Sequence, residues 1–276
     1  MIWRLVRTEP MDGAENMAVD EVLMRGSRGG MPTLRFYTWS PPAVSVGYFQ
    51  QLTDEVRLDR CREAGVDVVR RLTGGRAVLH EHEVTYSVTA PVSLFPGDVV
   101  ETFRYLSAGL LEGLRLLGLE AEVTRAGGGR GPATSPACFD AAAGYEVVAR
   151  GKKIIGSAQT RREGALLQHG SILIRFDARR LTSLLNFTGP PLGSWEERRV
   201  VEYLMERAAG LSDVLGRELE PAEVTEAFIA GFARALGWEL KEIPLTPEEV
   251  RQARLLAQRY RSREWNEERR PVVLEG

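Results

Sequence analysis

Cysteine and histidine are scarce in this chain. Its two cysteines, Cys61 and Cys138, form no CxxC pair in 276 residues, which excludes a disulfide framework and leaves both as thiols in a reducing compartment. Three histidines with no His/Cys ligand spacing exclude a structural zinc site, so no metal is expected. No apolar run approaches the ~20 residues that a bilayer-spanning helix needs. The opening MIWRLVRTEPMDGAENM holds no apolar block of the kind a secretory signal carries, so a cytoplasmic location is expected. Nor does one charge dominate: the formal net charge is −2, which withholds the basic footprint of a nucleic-acid binder. What is present is a chain that is 43% hydrophobic and long enough to bury a full core.

Hydrophobic periodicity divides that core among helices and strands. AENMAVDEVLMRGSRGG reads as a helix ended by glycines. TLRFYTW and AVSVGYF read as strands joined by a tight Ser-Pro-Pro turn, and VDVVRRL and EVTYSVTA as strands bracketing a glycine turn. The stretch from Asp98 to Gly118 keeps Val99, Phe103, Leu106, Leu110, Leu114 and Leu117 on one helical face. Residues 126–136 are a Gly/Pro/Ser/Thr loop. YEVVA, KIIGSAQTRR and ALLQHGSILIRF follow as a three-strand meander. The last third is helical: EERRVVEYLMERAAGLSDVLG and PAEVTEAFIAGFARALG each end at a glycine, and Thr246-Pro247 with Glu249 opens a further helix through a capping box. The expectation is an α+β fold, a central mixed or antiparallel β-sheet flanked by helices with a helical C-terminal segment. Residues 1–240 are expected to form a catalytic domain, with 241–276 packed on it as an extension.

Three stretches can carry chemistry. RRLTGGRAVLH places Arg70, Arg71, Arg76 and His80 around Gly74-Gly75, either a place where a ligand approaches backbone or a hairpin turn with solvated arginines. Cys61, in a short helix beside Leu58, fits a small buried hydrophobe. Cys138 follows the 126–136 loop and precedes a strand bearing Lys152 and Lys153, so it is either an activated nucleophile or inert. In GKKIIGSAQTRREGALLQHGS, alternation sets Lys153, Ile155, Ser157 and Gln159 on one face and Ile154, Gly156 and Ala158 on the other. Gly156 and Ala158 leave room for something to lie on the sheet. Lys152 is expected in solvent, and His169 is a base or a hydrogen-bonded structural histidine.

Taken together, RRLTGGRAVLH, EVTYSV and GKKIIGSAQTRREGALLQHGS resemble the biotin/lipoate protein ligase superfamily. ENMAVDE, RFYTWSPPAVSVGYFQ, ACFD and YRSREWN are similar to one branch of it, the LipM-type octanoyltransferases, and the likeness runs over nearly the whole chain. It implies that an octanoyl group passes from octanoyl-acyl carrier protein to a lysine of a lipoyl-domain protein, the glycine cleavage H protein. It implies a thioester on Cys138, with Lys153 depressing the thiol pKa and holding the acyl carbonyl. Arg70, Arg71, Thr73, Gly74, Gly75, Arg76 and His80 are implied to line the acyl pocket or its mouth, with Gly156, Ser157, Ala158, His169 and Gly170 as further substrate contacts. Because acyl transfer from a thioester to an amine is downhill, a nucleophilic thiol suffices and no cofactor is implied. A monomer is expected. Three alternatives share parts of this pattern: an ATP-dependent lipoate or octanoate ligase, an amidotransferase moving octanoyl between lipoyl domains, and a non-enzymatic acyl-carrier-binding module.

Overall fold

The computed structural model describes residues 1–125, 145–187 and 193–269. In chain order, β1 (Ile2–Arg7) leads to α1 (Gly13–Gly26), whose first turn is capped by Asp12 accepting from the Glu15 amide. β2 (Thr33–Tyr37) and β3 (Ala43–Val46) are followed by the short helices α2 (Leu52–Glu55) and α3 (Leu58–Glu63). β4 (Asp67–Arg70), β5 (Val78–His80) and β6 (Glu83–Pro91) precede α4 (Val99–Leu116), which opens with an Asp98/Glu101 capping box. Next come β7 (Glu122–Arg125), β8 (Tyr145–Ala149), β9 (Lys152–Arg162), β10 (Ala165–Leu173) and α5 (Ala178–Leu184). The C-terminal third holds α6 (Trp195–Arg207), α7 (Leu211–Leu215), α8 (Pro221–Leu236), β11 (Glu239–Glu242), α9 (Pro247–Arg261) and α10 (Arg263–Asn266).

Among the described residues an eight-stranded sheet runs β11-β1-β2-β6-β10-β9-β8-β7, and a three-stranded sheet runs β4-β3-β5. β1 is parallel to both neighbours while β6 to β10 pair antiparallel, so the large sheet is mixed as the sequence indicates. β8, β9 and β10 form the expected meander. Three local expectations change. β2 and β3 do not pair: β2 has β1 on one side and β6 on the other, which leaves it no edge, and β3 joins the small sheet instead. β4 and β5 lie on opposite sides of β3, so RRLTGGR is a crossing over the end of that strand, not a hairpin turn. The apparent long helix at 196–216 is likewise two helices. They break where the Ala209 amide donates to the Lys153 carbonyl and Gly210 lies on Arg175, with no room for a Cβ.

One face of the large sheet carries α4 and α8. Leu106, Leu110 and Leu114 are fully buried there with Phe228, Phe232 and Tyr86, each contributing roughly 1.5–3 kcal/mol relative to exposure. α1 and the small sheet cover the opposite face, with α9 packed on the outside of α1. Between that second face and the small sheet lies the cleft described next.

Candidate active site

A cleft of about 370 Å³, solvent at its mouth included, opens between α1, the small sheet and the strands β6, β9 and β10. Met17, Val78, Trp39 and Ala158 give it apolar walls; Arg71, His80, Gly156, His169 and Ser171 are among the other residues that line it. That lining suits a ligand with one apolar portion and few polar atoms. Trp39 stacks on the His80 ring at 3.9 Å and donates from Nε1 to Thr85 Oγ1 at 2.9 Å. Ser171 is buried, and its hydroxyl has no hydrogen-bond partner among the described residues. Gly170, one position away on β10, turns to the other side of the sheet, where a Cβ would stand 2.6 Å from the Tyr86 ring.

Arg71 is the centre of the polar network, and its donors are occupied by protein. Nε reaches Thr73 Oγ1; Nη1 reaches the Ser45 carbonyl and Oγ; Nη2 reaches the carbonyls of Gly74 and Arg76, at 2.7–3.2 Å. Two parallel chains run outward from it. Ser45 Oγ lies 2.8 Å from His80 Nε2, and His80 Nδ1 lies 3.3 Å from Glu83. Thr73 Oγ1 lies 2.7 Å from His169 Nε2, and His169 Nδ1 lies 3.4 Å from Asp20. Because Arg71 donates to both hydroxyls, their protons point to Nε2 and each imidazole turns its Nδ1–H to a carboxylate. Both histidines are thus held in one tautomer by partners on both sides.

Burial pushes the His80 pKa down, opposed by the hydrogen bond and charge of Glu83 and reinforced by Arg71. The stability carried by neutral His80 is therefore full above the ordinary value of 6.5 and is lost as pH falls through the depressed folded value. Urea unfolding midpoints measured from pH 8 to pH 5 should fall with acidification, and His80→Gln should flatten that slope. An equal slope in the variant would rule His80 out as its source.

The remaining residues of the arginine motif divide sharply. Arg70 is fully buried and points away from the cleft. Its guanidinium binds the carbonyls of Gly47, Tyr48, Gln50 and Asn266, and burial lowers its pKa to about 10. Asn266 Oδ1 returns a bond from the Arg70 amide, and Trp265 Nε1 donates to the Arg70 carbonyl. The closing REWN segment thereby latches onto β4. Arg76 lies at the surface and reaches Glu55 at 3.5 Å. Gly74 and Gly75 belong to the crossing itself: Gly75 has φ +91°, and a Cβ on Gly47 would fall 1.9 Å from its carbonyl oxygen. The glycines serve close backbone packing, and Phe49, 75% exposed, rests beside Gly74.

Lys153 reaches the cleft face through a β-bulge. Val147 pairs with Ile155 and Val148 with Lys153, so Ile154 is an extra residue on β9. Ile154 and Ile155 both enter the α4/α8 core, and Lys153 is turned to the opposite side. Strict alternation had set it with Ile155, Ser157 and Gln159; the bulge moves it to the face of Gly156. Ser157 and Gln159 do share the core face, bonded to Tyr86 and Gln168. The Lys153 stem lies over Gly156, where a Cβ would stand 3.2 Å from Cε and 3.6 Å from Nζ. The side chain is 3% exposed, and its ammonium donates to Glu146 Oε1 at 2.6 Å. Lys152 turns outward and donates to the Met205 carbonyl.

Cys138 and the 126–136 loop lie outside the described residues. Cys61 is a buried thiol that desolvation pushes up to about 11, a packing residue as its helix suggested. Among the described residues no group of three or more His, Cys, Asp or Glu could hold a metal ion. Sequence reasoning missed Glu146, Asp20, Glu83, Ser45 and Ser171. One signal for Asp20 was present: a carboxylate beside Glu21 set within the apolar run from Met17 to Met24, where a buried charge demands a partner.

This geometry coincides with a known family. Residues 12–233 match the lipoyl protein ligase A/B catalytic domain. Octanoyltransferase LipM of Symbiobacterium thermophilum is 45% identical over 273 residues, covering 96% of this chain and 97% of its own. The protein of the same name from Kyrpidia tusciae is 46% identical over 272 residues, covering 96% and 98%. Among solved structures, an archaeal bi-partite lipoate protein ligase studied with its E2 lipoyl domain, from Thermoplasma acidophilum, superposes with a TM-score of 0.81 at 30% identity, covering 99% of this chain and 100% of that one. Lipoate-protein ligase A bound with ATP gives 0.78 at 30% identity, covering 96% and 98%. The chain belongs to the lipoyl protein ligase A/B family and, within it, to the octanoyltransferase branch. It is an acyltransferase enzyme.

Proposed function

We propose that this enzyme moves an octanoyl group from octanoyl-acyl carrier protein to a lysine of a lipoyl domain, that of the glycine cleavage H protein, through a thioester on Cys138. The Cys138 thiolate attacks the donor thioester carbonyl, the carrier thiolate leaves, and the acceptor amine then displaces Cys138, giving up a proton as the amide forms. The observation that carries this reading is the bulge on β9, which turns the Lys153 ammonium onto the cleft face beside Gly156. A cation there favours the thiolate and the oxyanion of each tetrahedral intermediate. Ser171, directly across from Gly156 on β10 and unpaired among the described residues, supplies a second donor for the acyl oxygen. Apolar Met17, Val78 and Ala158 receive the alkyl chain. His80 and His169, each held at both nitrogens, shape this wall and leave the proton chemistry to Cys138 and Lys153.

The solved relatives include a ligase bound with ATP, so an ATP-dependent reaction is the reading to test against. Full-length relatives at 39–46% identity support the transferase, and no cofactor is required for it. We assign the protein to the cytoplasm as a monomer; no helix among the described residues is long and apolar enough to cross a membrane. Residues 241–276 act as an extension of the 1–240 catalytic domain, a role supported by the Trp265 and Asn266 latch on Arg70. Intact-mass spectrometry after mixing the enzyme with octanoyl-acyl carrier protein, without ATP, tests the proposal. One octanoyl adduct on Cys138 that discharges onto apo H protein is expected. Acylation that appears only with ATP, Mg²⁺ and free octanoate would make the enzyme a ligase.

A further inference from the structure

Lys153 is not held by β9 alone. Glu146, on β8, lies two residues from Val148, the direct cross-strand partner of Lys153, and so shares its face of the sheet. Its carboxylate is 2.6 Å from the ammonium, with 15% of the Glu146 side chain and 3% of the lysine exposed. On the other side the lysine stem rests on Gly156, one of the residues that line the cleft. The Lys153 main chain is pinned as well, since its carbonyl accepts from the Ala209 amide. A carboxylate, a glycine surface and a fixed backbone together confine a side chain that otherwise has four rotatable bonds.

We propose that Glu146 is a positioning residue of the acyl transfer: its carboxylate holds the Lys153 ammonium against Gly156, on the cleft face of the sheet, before substrate arrives. This rests on the reading that Lys153 serves that reaction. The physical case is one of preorganisation. A buried ammonium without a carboxylate is costly, and withdrawal toward water relieves that cost. Withdrawal would remove the cation from the place where negative charge develops on the thiolate and on the acyl oxygen. Glu146 opposes it through its charge and through its place on β8. The pair also limits how strongly Lys153 acts on any neighbour, because part of its charge is already balanced. A carboxylate is thus expected to tune the lysine as well as to hold it.

The chain offers a direct readout, because it contains three lysines, Lys152, Lys153 and Lys241. Amine labelling resolved by peptide mass spectrometry reports on Lys153 with the other two as internal standards. Glu146→Gln keeps the shape and removes the charge. It should raise Lys153 labelling at pH 8 several-fold relative to Lys152, lower kcat for octanoyl transfer about 10- to 100-fold, and leave KM for the carrier donor within about twofold. Glu146→Asp, retaining the carboxylate, should recover at least part of both effects. Unchanged relative labelling in Glu146→Gln overturns the proposal, as does altered labelling with unaltered kcat. A loss of kcat matched equally by Glu146→Asp, with a lowered melting temperature in both, would show a packing role instead and also overturn it. The labelling arm needs no octanoyl donor, so it decides whether Glu146 governs Lys153 even if the wild-type enzyme forms no acyl adduct, the outcome that would sink the reaction assigned above.

Discussion

Cys138→Ala is expected to abolish acyl-enzyme formation and to lower octanoyl transfer by at least ~10³-fold, with no change in the thermal unfolding midpoint. The size of the effect follows from the chemistry. Direct attack of an acceptor lysine on a carrier-bound thioester needs both large proteins at the cleft at once, whereas a thiol lets them visit in turn. Cys61 cannot substitute: it is buried in the small-sheet cluster with Val44, Leu52 and Leu79, and its thiol is pushed up to about 11. Cys61→Ala should therefore keep full transfer and serve as the matched control. Intact-mass spectrometry and single-turnover transfer to apo H protein provide the two readouts. Transfer by Cys138→Ala at a rate comparable to wild type would eliminate the thioester route and leave direct transfer or a ligase reaction.

The sheet, the meander and most helices could be read in the sequence because each depends on local pattern. α4 announces itself through a six-residue apolar face and an acidic cap, and α9 through Thr246-Pro247 and Glu249. What depends on competition between distant segments could not be read. Whether β2 pairs with β3 is decided by β1 and β6, which occupy both of its edges. The site divides in the same way. The RRLTGGR and GKKIIGSA stretches were found by residue type, yet residue type could not show that Arg70 and Arg71 point in opposite directions, one into a latch with Asn266 and the other under the cleft. Lys153 is the sharpest case. Alternation is a rule about regular strands, and one extra residue at Ile154 reverses its outcome for everything preceding the bulge. A compositional hint did exist: in a chain with 36 basic residues and only three lysines, two adjacent lysines mark a place where arginine would not serve.

The largest loss of stability is expected from Asp20→Ala. Asp20 is buried in α1, and its two oxygens take four bonds: from Arg35 at 2.8 Å, Ser87 at 2.8 Å, Tyr37 at 2.8 Å and the His169 ring at 3.4 Å. Arg35 and His169 hold its carboxyl below the usual range although burial alone would raise it. Arg35 is fully buried beneath it, bound also to Asn16 and Thr8. Removing one member of a buried ion pair strands the other, which typically costs about 3–5 kcal/mol, a fall in melting temperature on the order of 10 °C for a chain of this size. Asp20→Asn should cost less, since the amide oxygen still accepts from Tyr37 or Ser87 while the charge on Arg35 goes unbalanced. The same substitution unties His169 from its carboxylate, and through Thr73 it loosens the loop that Arg71 holds against the cleft. Stability and catalysis should accordingly fall together in Asp20→Ala, whereas Cys138→Ala separates them. Urea titrations alongside single-turnover rates for both variants measure this. A fully stable Asp20→Ala protein would mean that Arg35 finds another counter-charge, and the network built around Asp20 would then carry little of the fold.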